Sequence, residues 1–329
     1  MSRYAIGVDL GGTNLRVAAV SLDGRLLEKL NLGTEVGRGR DAVLNEMCLS
    51  IGQLSRKLGG EHSLLGIGIG VPGIIDMDRG MLRESPNLPG WHDYPVQDEI
   101  QRRLGTKVVL ENDANAAALG EAWLGAARGF DSACMITLGT GVGGGIVLND
   151  RVWHGMTGMA GEVGHVTVDP EGPPCNCGNR GCLEQYASAT AVVRMAREAA
   201  GGSPALAALV SGPALSAHAV YTLAETGDRA TRAIFDKAGW ALGIALAGMV
   251  NVLNLPMYVI GGGVASSWDL FAPAMLEELQ ARSFVYTATK PGEPGLAGKV
   301  TLVTRAQLGS DAGLYGAARL GMVSAAVVV

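Results

Sequence analysis

The sequence has little that would bring a protein to nucleic acids or to membranes. Its 329 residues carry a formal net charge of −5, and they contain no run rich in Lys and Arg. Because nucleic acids and anionic membrane surfaces are bound through clustered cations, neither partner is expected. The N-terminus also lacks the long apolar core and the small-residue cleavage site of a signal peptide. We therefore expect a cytoplasmic protein.

A membrane span is also not expected. The most apolar long stretch, residues 241–260, contains Asn251, Asn254 and Pro256, which are costly or disruptive inside a bilayer. This stretch is better explained as a buried helix that runs into a buried strand. With 48% hydrophobic and 17% charged residues, the composition is typical of a globular protein.

The chain lacks a P-loop, since no Gly-Lys-Ser/Thr follows any of its Gly-rich segments. It nevertheless has 49 glycines, many of them in short clusters. One cluster, in Asp9-Leu10-Gly11-Gly12-Thr13-Asn14, separates two strand-like segments, and residues 138–145 (LGTGVGGG) repeat the same strand–turn–strand pattern. Such turns are ordinary hairpins or sites where backbone N–H groups approach phosphates, with Asp9 holding Mg²⁺ through water. A third cluster, residues 261–263, is a further close-approach turn or a helix entry.

The internal repeat and the alternation of strands with helices predict an α/β fold with two similar halves. We expect two domains. The first comprises residues 1–120 together with a C-terminal helix at about residues 305–329, and the second comprises residues 121–304. Two local predictions concern helices: residues 41–58 form one for which Asp41 is a candidate cap, and residues 183–200 form another long helix.

The segment Glu111-Asn112-Asp113-Ala114-Asn115 follows a predicted strand and opens an Ala-rich helix. A carboxylate at such a strand end can act as a general base that takes a proton from an attacking hydroxyl, and Asn112 would fix that hydroxyl. The alternative is that Asp113 only caps the helix.

Three of the five cysteines lie within eight residues, and a histidine precedes them: His165, Cys175, Cys177 and Cys182. Three thiolates and one imidazole match a closed tetrahedral zinc site, whereas a disulfide would leave one cysteine unpaired. Because protein ligands fill all four positions, the zinc is expected to be structural. Glu162 and Glu184 flank this loop and are either solvated acids or acceptors for sugar hydroxyls.

These motifs, together with residues 85–91 (SPNLPGW), resemble the ROK family of repressors, open reading frames and kinases, and within it the bacterial glucokinases. The resemblance implies an actin-like, hexokinase-type (ribonuclease H-like) fold, with two α/β domains and a cleft between them. It also implies ATP as the phosphoryl donor, with polyphosphate as the alternative because some family members use it. Mg²⁺ and Zn²⁺ are the implied cofactors, and the implied assembly is a homo-oligomer, either a dimer or a tetramer.

The resemblance also implies roles for individual residues. Asp113 would be the base for the sugar 6-hydroxyl. The sugar would be contacted by Asn87, Asn112, Asp113, Glu162, His165 and Glu184. The nucleotide phosphates and Mg²⁺ would be met by Asp9, Gly11, Gly12, Thr13, Asn14, Thr140 and Gly141, and the adenosine would lie near Gly262 and Gly263.

Glucose is the expected substrate, and N-acetylmannosamine, N-acetylglucosamine, mannose, fructose or allose are the alternatives. A sugar-binding sensor without catalysis is a third hypothesis. Family members that repress transcription carry a helix-turn-helix segment before the shared part. The first predicted strand here begins at Tyr4, so we expect no DNA binding of that kind.

Overall fold

The computed structural model describes residues 2–293 and 299–326, with the backbone alone for residues 324–326. Strands and helices alternate along it. The strands are β1 (Ser2–Leu10), β2 (Asn14–Ser21), β3 (Leu26–Gly33), β4 (His62–Val71), β5 (Ile74–Asp76), β6 (Met81–Glu84), β7 (Val109–Asn112), β8 (Ala133–Leu138), β9 (Val142–Leu148), β10 (Arg151–Val152), β11 (Met257–Gly261) and β12 (Leu302–Arg305). The helices are α1 (Arg40–Leu58), α2 (Val96–Leu104), α3 (Asp113–Leu124), α4 (Glu184–Ala187), α5 (Ala189–Glu198), α6 (Pro204–Ser211), α7 (Ala217–Glu225), α8 (Arg229–Leu253), α9 (Trp268–Arg282), α10 (Phe284–Thr289) and α11 (Ala312–Ala326).

The two large sheets have the same strand order, as the internal repeat predicts. The first sheet runs β3-β2-β1-β4-β7 and the second runs β10-β9-β8-β11-β12. In the first sheet β1, β2 and β3 are antiparallel neighbours, and β1, β4 and β7 are parallel. The parallel strands are apolar along most of their length because both faces of such a sheet are covered. This mixed α/β architecture agrees with the predicted fold class.

The contacts divide the chain into two compact units. Unit 1 comprises Met1–Ala133, Gly145–Gly161 and Gln307–Val329, and unit 2 comprises Cys134–Gly144 and Glu162–Ala306. Helix α11 therefore belongs with the N-terminal segment. The predicted boundaries at residues 120 and 305 remain predictions.

Within unit 1, helix α11 packs closely on the first sheet. Small residues permit this approach: a Cβ added at Gly68 of β4 would collide with the backbone oxygen of Ala317. Ala5 of β1 and Leu314 of α11 are fully buried in the same apolar cluster. Burial of this kind contributes roughly 25 cal/mol for each Å² of apolar surface removed from water. It fixes the C-terminal segment against the strands that carry Asp9 and Asn112.

In unit 2 the longest described helix, α8, is the one helix of the described residues long and apolar enough by composition to cross a membrane. Of its most apolar window, 61% is buried within the protein. The helix continues into β11, so the predicted helix–strand sequence is present. A mostly buried helix of this composition is typical of a globular core.

Several local predictions were wrong. Helix α1 begins after Gly39, which makes no side-chain cap, and Asp41 lies inside the first turn. The helix expected over residues 183–200 is divided at Ser188, whose extended backbone ends α4 and whose side chain caps α5. Strands β5 and β6 and helix α2, in the segment between Pro72 and Leu104, were not predicted.

Candidate active site

In unit 1, the residues predicted to act in chemistry lie at the carboxyl ends of neighbouring parallel strands. Asp9 near the end of β1 pairs in register with Gly70 of β4, and Val71 of β4 pairs with Asn112 of β7. A Cβ added at Gly70 would lie 3.7 Å from the Cα of Asp113. Ligands of open α/β sheets bind at this edge. Asp9, Asn112 and Asp113 thus share one end of the first sheet.

The first Gly-rich turn joins β1 to β2 and is held by backbone bonds. The Gly11 N–H donates to the Asn14 carbonyl at 2.8 Å, and the Thr34 hydroxyl donates to the Gly11 carbonyl at 2.6 Å. Gly12 lies against the neighbouring loop, because a Cβ added there would come within 3.0 Å of the Asn87 carbonyl oxygen. Gly12 and Asn87, predicted to meet phosphate and sugar respectively, are therefore adjacent.

Asp9 lies in a charged network that joins the first sheet to the short 3₁₀ turn (Gly309–Asp311) before α11. Its Oδ2 accepts a bond from Arg16 Nη1 at 3.0 Å, and the same guanidinium donates to the Ser310 carbonyl at 2.5 Å. Asp311 pairs with Lys29 at 2.5 Å. Burial raises the pKa of Asp9, and the positive charge of Arg16 opposes that rise. The Arg16 charge thus partly offsets the cost of burying the Asp9 carboxylate in its ionised form.

At the start of α3, Asn112 is the capping residue. Its Oδ1 accepts the N–H groups of Ala114 and Asn115 at 2.9 and 3.2 Å, and its Nδ2 donates to the Gly73 carbonyl at 3.1 Å. Asp113 is the first residue of the helix, and its Oδ1 also accepts the Ala114 N–H, at 2.9 Å. The helix N-terminus favours a negative charge at Asp113. The hydrogen-bonded amide of Asn112 thus holds the junction of β7 and α3, where Asp113 lies.

Behind this strand end, Glu111 and His154 form a pair that sequence reasoning missed. The Glu111 side chain is 1% exposed, and its Oε2 lies 2.7 Å from His154 Nε2. Its Oε1 accepts the Asn112 N–H at 2.9 Å and the Asn115 Nδ2 at 3.0 Å. The hydrogen bond to Glu111 raises the pKa of His154. One buried carboxylate thus connects His154 to the backbone of Asn112.

In unit 2, the second Gly-rich turn has a design like the first. Gly139 N–H donates to the Gly141 carbonyl at 2.9 Å between β8 and β9. Gly262 follows the neighbouring strand β11 with φ +87°, and a Cβ added there would lie 2.6 Å from the Leu138 nitrogen. Only glycine fits this conformation and this close approach. Gly263 opens a short 3₁₀ helix that leads into α9, so the third cluster is also a helix entry.

The four predicted metal ligands converge in unit 2. The candidate ligand atoms of His165, Cys175, Cys177 and Cys182 all lie within 4.8 Å of one another. His165 Nδ1 is 3.7 Å from Cys175 Sγ, and the Cys177 and Cys182 sulfurs are also 3.7 Å apart. A tetrahedral zinc with Zn–S bonds of about 2.3 Å separates its ligands by about 3.5–3.8 Å. The donor set and its spacing therefore fit zinc.

The two carboxylates beside this cluster differ in their surroundings. Glu162 is 52% exposed, with its Oε2 4.0 Å from His165 Nε2. Glu184, the first residue of α4, accepts the Val142 N–H at 3.0 Å through its Oε2. Glu184 therefore contacts the second Gly-rich turn, which was not predicted. Its carboxylate is therefore not simply solvated, and the predicted bond to a sugar hydroxyl would come from a group that also holds this turn.

Comparison with known proteins places the chain in a family. The model of the ROK family matches residues 5–322. A glucokinase of Thermotoga maritima is 41% identical over 96% of this chain and 96% of its own length. A ROK hexokinase structure from Thermus thermophilus has a TM-score of 0.81 at 34% identity, covering 98% of this chain and 99% of that one. A ROK glucokinase of Streptomyces griseus in complex with glucose and AMPPNP gives a TM-score of 0.78 at 33% identity, with 97% and 99% coverage.

The chain belongs to the ROK family. The resemblance inferred from its motifs is thereby confirmed, and so is the sugar-kinase type of fold.

Proposed function

We propose that this protein is an ATP-dependent glucokinase that transfers the γ-phosphoryl group of ATP to the 6-hydroxyl of glucose. The observation that carries the proposal is the position of Asp113 at the carboxyl end of the first sheet, beside the fixed amide of Asn112. The similarity to glucokinases over nearly the whole chain supports glucose as the acceptor and ATP as the donor.

In this proposal Asp113 is the general base. It takes the proton of the 6-hydroxyl as that oxygen attacks the phosphorus, while Asn112 orients the hydroxyl. Phosphoryl transfer requires mainly positioning and charge stabilisation, so a single base suffices. Mg²⁺ held through water by Asp9 would neutralise the charge of the phosphates. The Arg16 charge favours the ionised form of Asp9 by opposing the rise in its pKa that burial causes.

Further ligand contacts are proposed for residues of each unit taken by itself. Glu162, His165 Nε2, Glu184 and Asn87 accept or donate bonds to sugar hydroxyls. The turn residues 11–14 and 140–141 donate backbone N–H groups to the phosphates, and Gly262 and Gly263 leave space for the adenosine. Exclusion of water from this site would prevent ATP hydrolysis without sugar.

We also propose a structural zinc ion at His165, Cys175, Cys177 and Cys182. The mutual distances of these ligand atoms support it. Bound zinc would supply a rigid cross-link to the loop and no step of the reaction, since four protein ligands leave no position for water. Metal analysis of the purified protein should give about one zinc per chain.

The experiment that tests the function is a coupled ADP-release assay with Mg-ATP and a panel of sugars. Glucose should be preferred over mannose, fructose, allose, N-acetylglucosamine and N-acetylmannosamine. Preference for another sugar would replace glucose as the proposed substrate and leave the proposed mechanism unchanged. No ADP release with any sugar, from protein that binds glucose, would favour the sensor hypothesis.

Asp113→Asn tests the mechanism. Loss of a general base lowers turnover by about 10²–10⁴-fold, and glucose binding should persist. The matched control is Asp98→Asn, since Asp98 is an exposed acid in the first turn of α2. Unchanged turnover in the Asp113 variant would remove this residue from the mechanism.

The cytoplasmic location and the dimeric or tetrameric state remain predictions, and light scattering of the purified protein checks the oligomeric state.

A further inference from the structure

The segment that follows the cysteine loop makes repeated contacts with the second Gly-rich turn, here called the 139–142 turn. Three hydrogen bonds come from residues 184–190. Glu184 Oε2 accepts the Val142 N–H at 3.0 Å. The Ala189 N–H donates to the Gly139 carbonyl at 2.8 Å, and the Thr190 hydroxyl donates to the Thr140 carbonyl at 2.8 Å.

A fourth contact comes from the other side of the cysteine cluster. Gly164, next to His165, packs against the Val142 carbonyl so closely that an added Cβ would collide with it. The Val142 residue is therefore held at its N–H by Glu184 and at its C=O by Gly164. All four residues of the turn have a polar or packing contact with this part of the chain, since a Cβ added at Gly141 would collide with Glu184 Oε2.

These contacts determine the direction in which backbone groups of the turn point. A Gly-rich hairpin has no side chains that would hold it in one conformation, and glycine has the largest conformational entropy to lose. In a trans peptide the C=O group and the N–H group of the next residue point in opposite directions. Because residues 189 and 190 hold the carbonyls of Gly139 and Thr140 on one side, the N–H groups that follow these carbonyls point to the other side. N–H groups fixed in advance bind an anion more tightly than mobile ones, because less entropy is lost on binding.

We propose that Thr190 is a positioning residue for the 139–142 turn: its hydroxyl, with the Ala189 N–H and the Glu184 carboxylate, holds the turn in the conformation that receives the nucleotide phosphates. This inference rests on the proposed kinase function. It also gives the cysteine loop a second proposed role, because Glu184, which bonds the turn, lies only two residues after the proposed metal ligand Cys182. That loop supports nucleotide binding as well as sugar binding.

Thr190 is suited to a test because it is exposed and its contact is a single side-chain hydrogen bond. Thr190→Val keeps the shape and removes the donor, whereas Thr190→Ser keeps the donor. The matched control is Thr226→Val, since the Thr226 hydroxyl donates to the Leu223 carbonyl at 2.7 Å at an exposed position of unit 2. All three variants should fold normally.

The experiment measures the Kd for AMPPNP by calorimetry and, separately, KM for Mg-ATP, KM for glucose and kcat. Loss of one neutral hydrogen bond should raise the Kd for AMPPNP and the KM for ATP about 3- to 10-fold in Thr190→Val. The KM for glucose should stay within about twofold of the wild-type value, because the proposed effect is confined to the turn that binds the nucleotide. Thr190→Ser and Thr226→Val should match the wild type.

Wild-type nucleotide affinity in Thr190→Val would overturn the proposal. So would an equal loss in Thr226→Val, or a parallel rise in the KM for glucose, because each indicates a general structural effect. The nucleotide measurement separates this inference from the proposed function. A wild-type protein that binds AMPPNP and does not phosphorylate glucose would refute the glucokinase proposal alone, and the binding comparison would still decide the role of Thr190.

Discussion

Replacing His154 by methionine should destabilise the strand end that carries Asn112 and Asp113. Methionine is similar in size to histidine, so the substitution changes the volume little and removes the donor to Glu111. Glu111 is 1% exposed, so its Oε2 would lose the partner that lies 2.7 Å away and would gain little access to water. The other oxygen of the same carboxylate accepts the Asn112 N–H. A change at His154 should therefore also affect Asn112, the residue proposed to orient the sugar hydroxyl.

The size of the effect follows from the character of this bond. Hydrogen bonds to charged groups contribute about 1.5–3 kcal/mol, and an unpaired buried acceptor costs about 1–3 kcal/mol. His154 is 33% exposed, and solvent screening places the expected loss at the lower end, about 1–2 kcal/mol. The free energy of unfolding from urea titrations at pH 6 measures it.

The pH dependence gives the prediction its sign. Glu111 raises the pKa of His154 in the folded protein, whereas an unfolded histidine titrates at about 6.5. The ionic part of the stabilisation is therefore fully present below about pH 6.5 and is lost as the pH rises through the higher folded pKa. The difference in unfolding free energy between wild type and His154→Met should accordingly narrow at alkaline pH.

The control is His92→Met. His92 also pairs with an acid, Asp93 at 3.1 Å, but the two side chains are 76% and 51% exposed, so little change is expected. His154→Gln retains an N–H donor without the charge and should recover part of the stability at pH 6. Equal stabilities of wild type and His154→Met at pH 6, or a difference that grows with pH, would refute the reasoning.

Three further predictions follow from buried or clustered charges. Glu121 is fully buried and accepts three backbone N–H groups, those of Ala126 and Gln307 at Oε2 (2.7 and 3.1 Å) and that of Leu308 at Oε1 (2.8 Å). Glu121→Ala should lower the free energy of unfolding by about 3 kcal/mol in urea titrations, and an unchanged midpoint would contradict this. Arg16→Met removes the positive charge that opposes the rise in the pKa of Asp9. The acid limb of the pH profile of kcat/KM should therefore move to higher pH. A limb that stays in place would show that Asp9 is not the group whose protonation causes it. Cys177→Ala should lower bound zinc well below one per chain by metal analysis and make the loop easier to cleave by protease; full zinc retention would argue against the proposed ligand set.

Features with a strong local signal were predicted well from the sequence. Strands β1 and β2 were recognised because apolar residues run up to a Gly-rich turn. The repeat of that pattern at β8 and β9 predicted two similar halves, and the two large sheets do share one strand order. The Cys175–Cys182 spacing is similarly local, since a metal requires its ligands close in sequence or in space. Asp113 was singled out because it follows a strand and opens a helix.

Local pattern failed where backbone geometry decided the outcome. Asp41 was predicted to cap α1, yet the N-cap is Gly39, two residues earlier, with φ 89°. The apolar spacing of residues 183–200 is helical throughout, and only the extended backbone at Ser188 divides it. That division brings Ala189 and Thr190 to the 139–142 turn.

The sequence by itself determined the family, the fold class and the identity of the candidate ligands and base, because these depend on residue type and on spacing along the chain. The tertiary structure alone decided which partners each of them has. Glu111 and His154 are 43 residues apart, Glu184 and Val142 are 42 apart, and Glu121 and Leu308 are 187 apart. No periodicity encodes pairings over such separations, since they arise only when packed sheets and helices bring distant segments into contact.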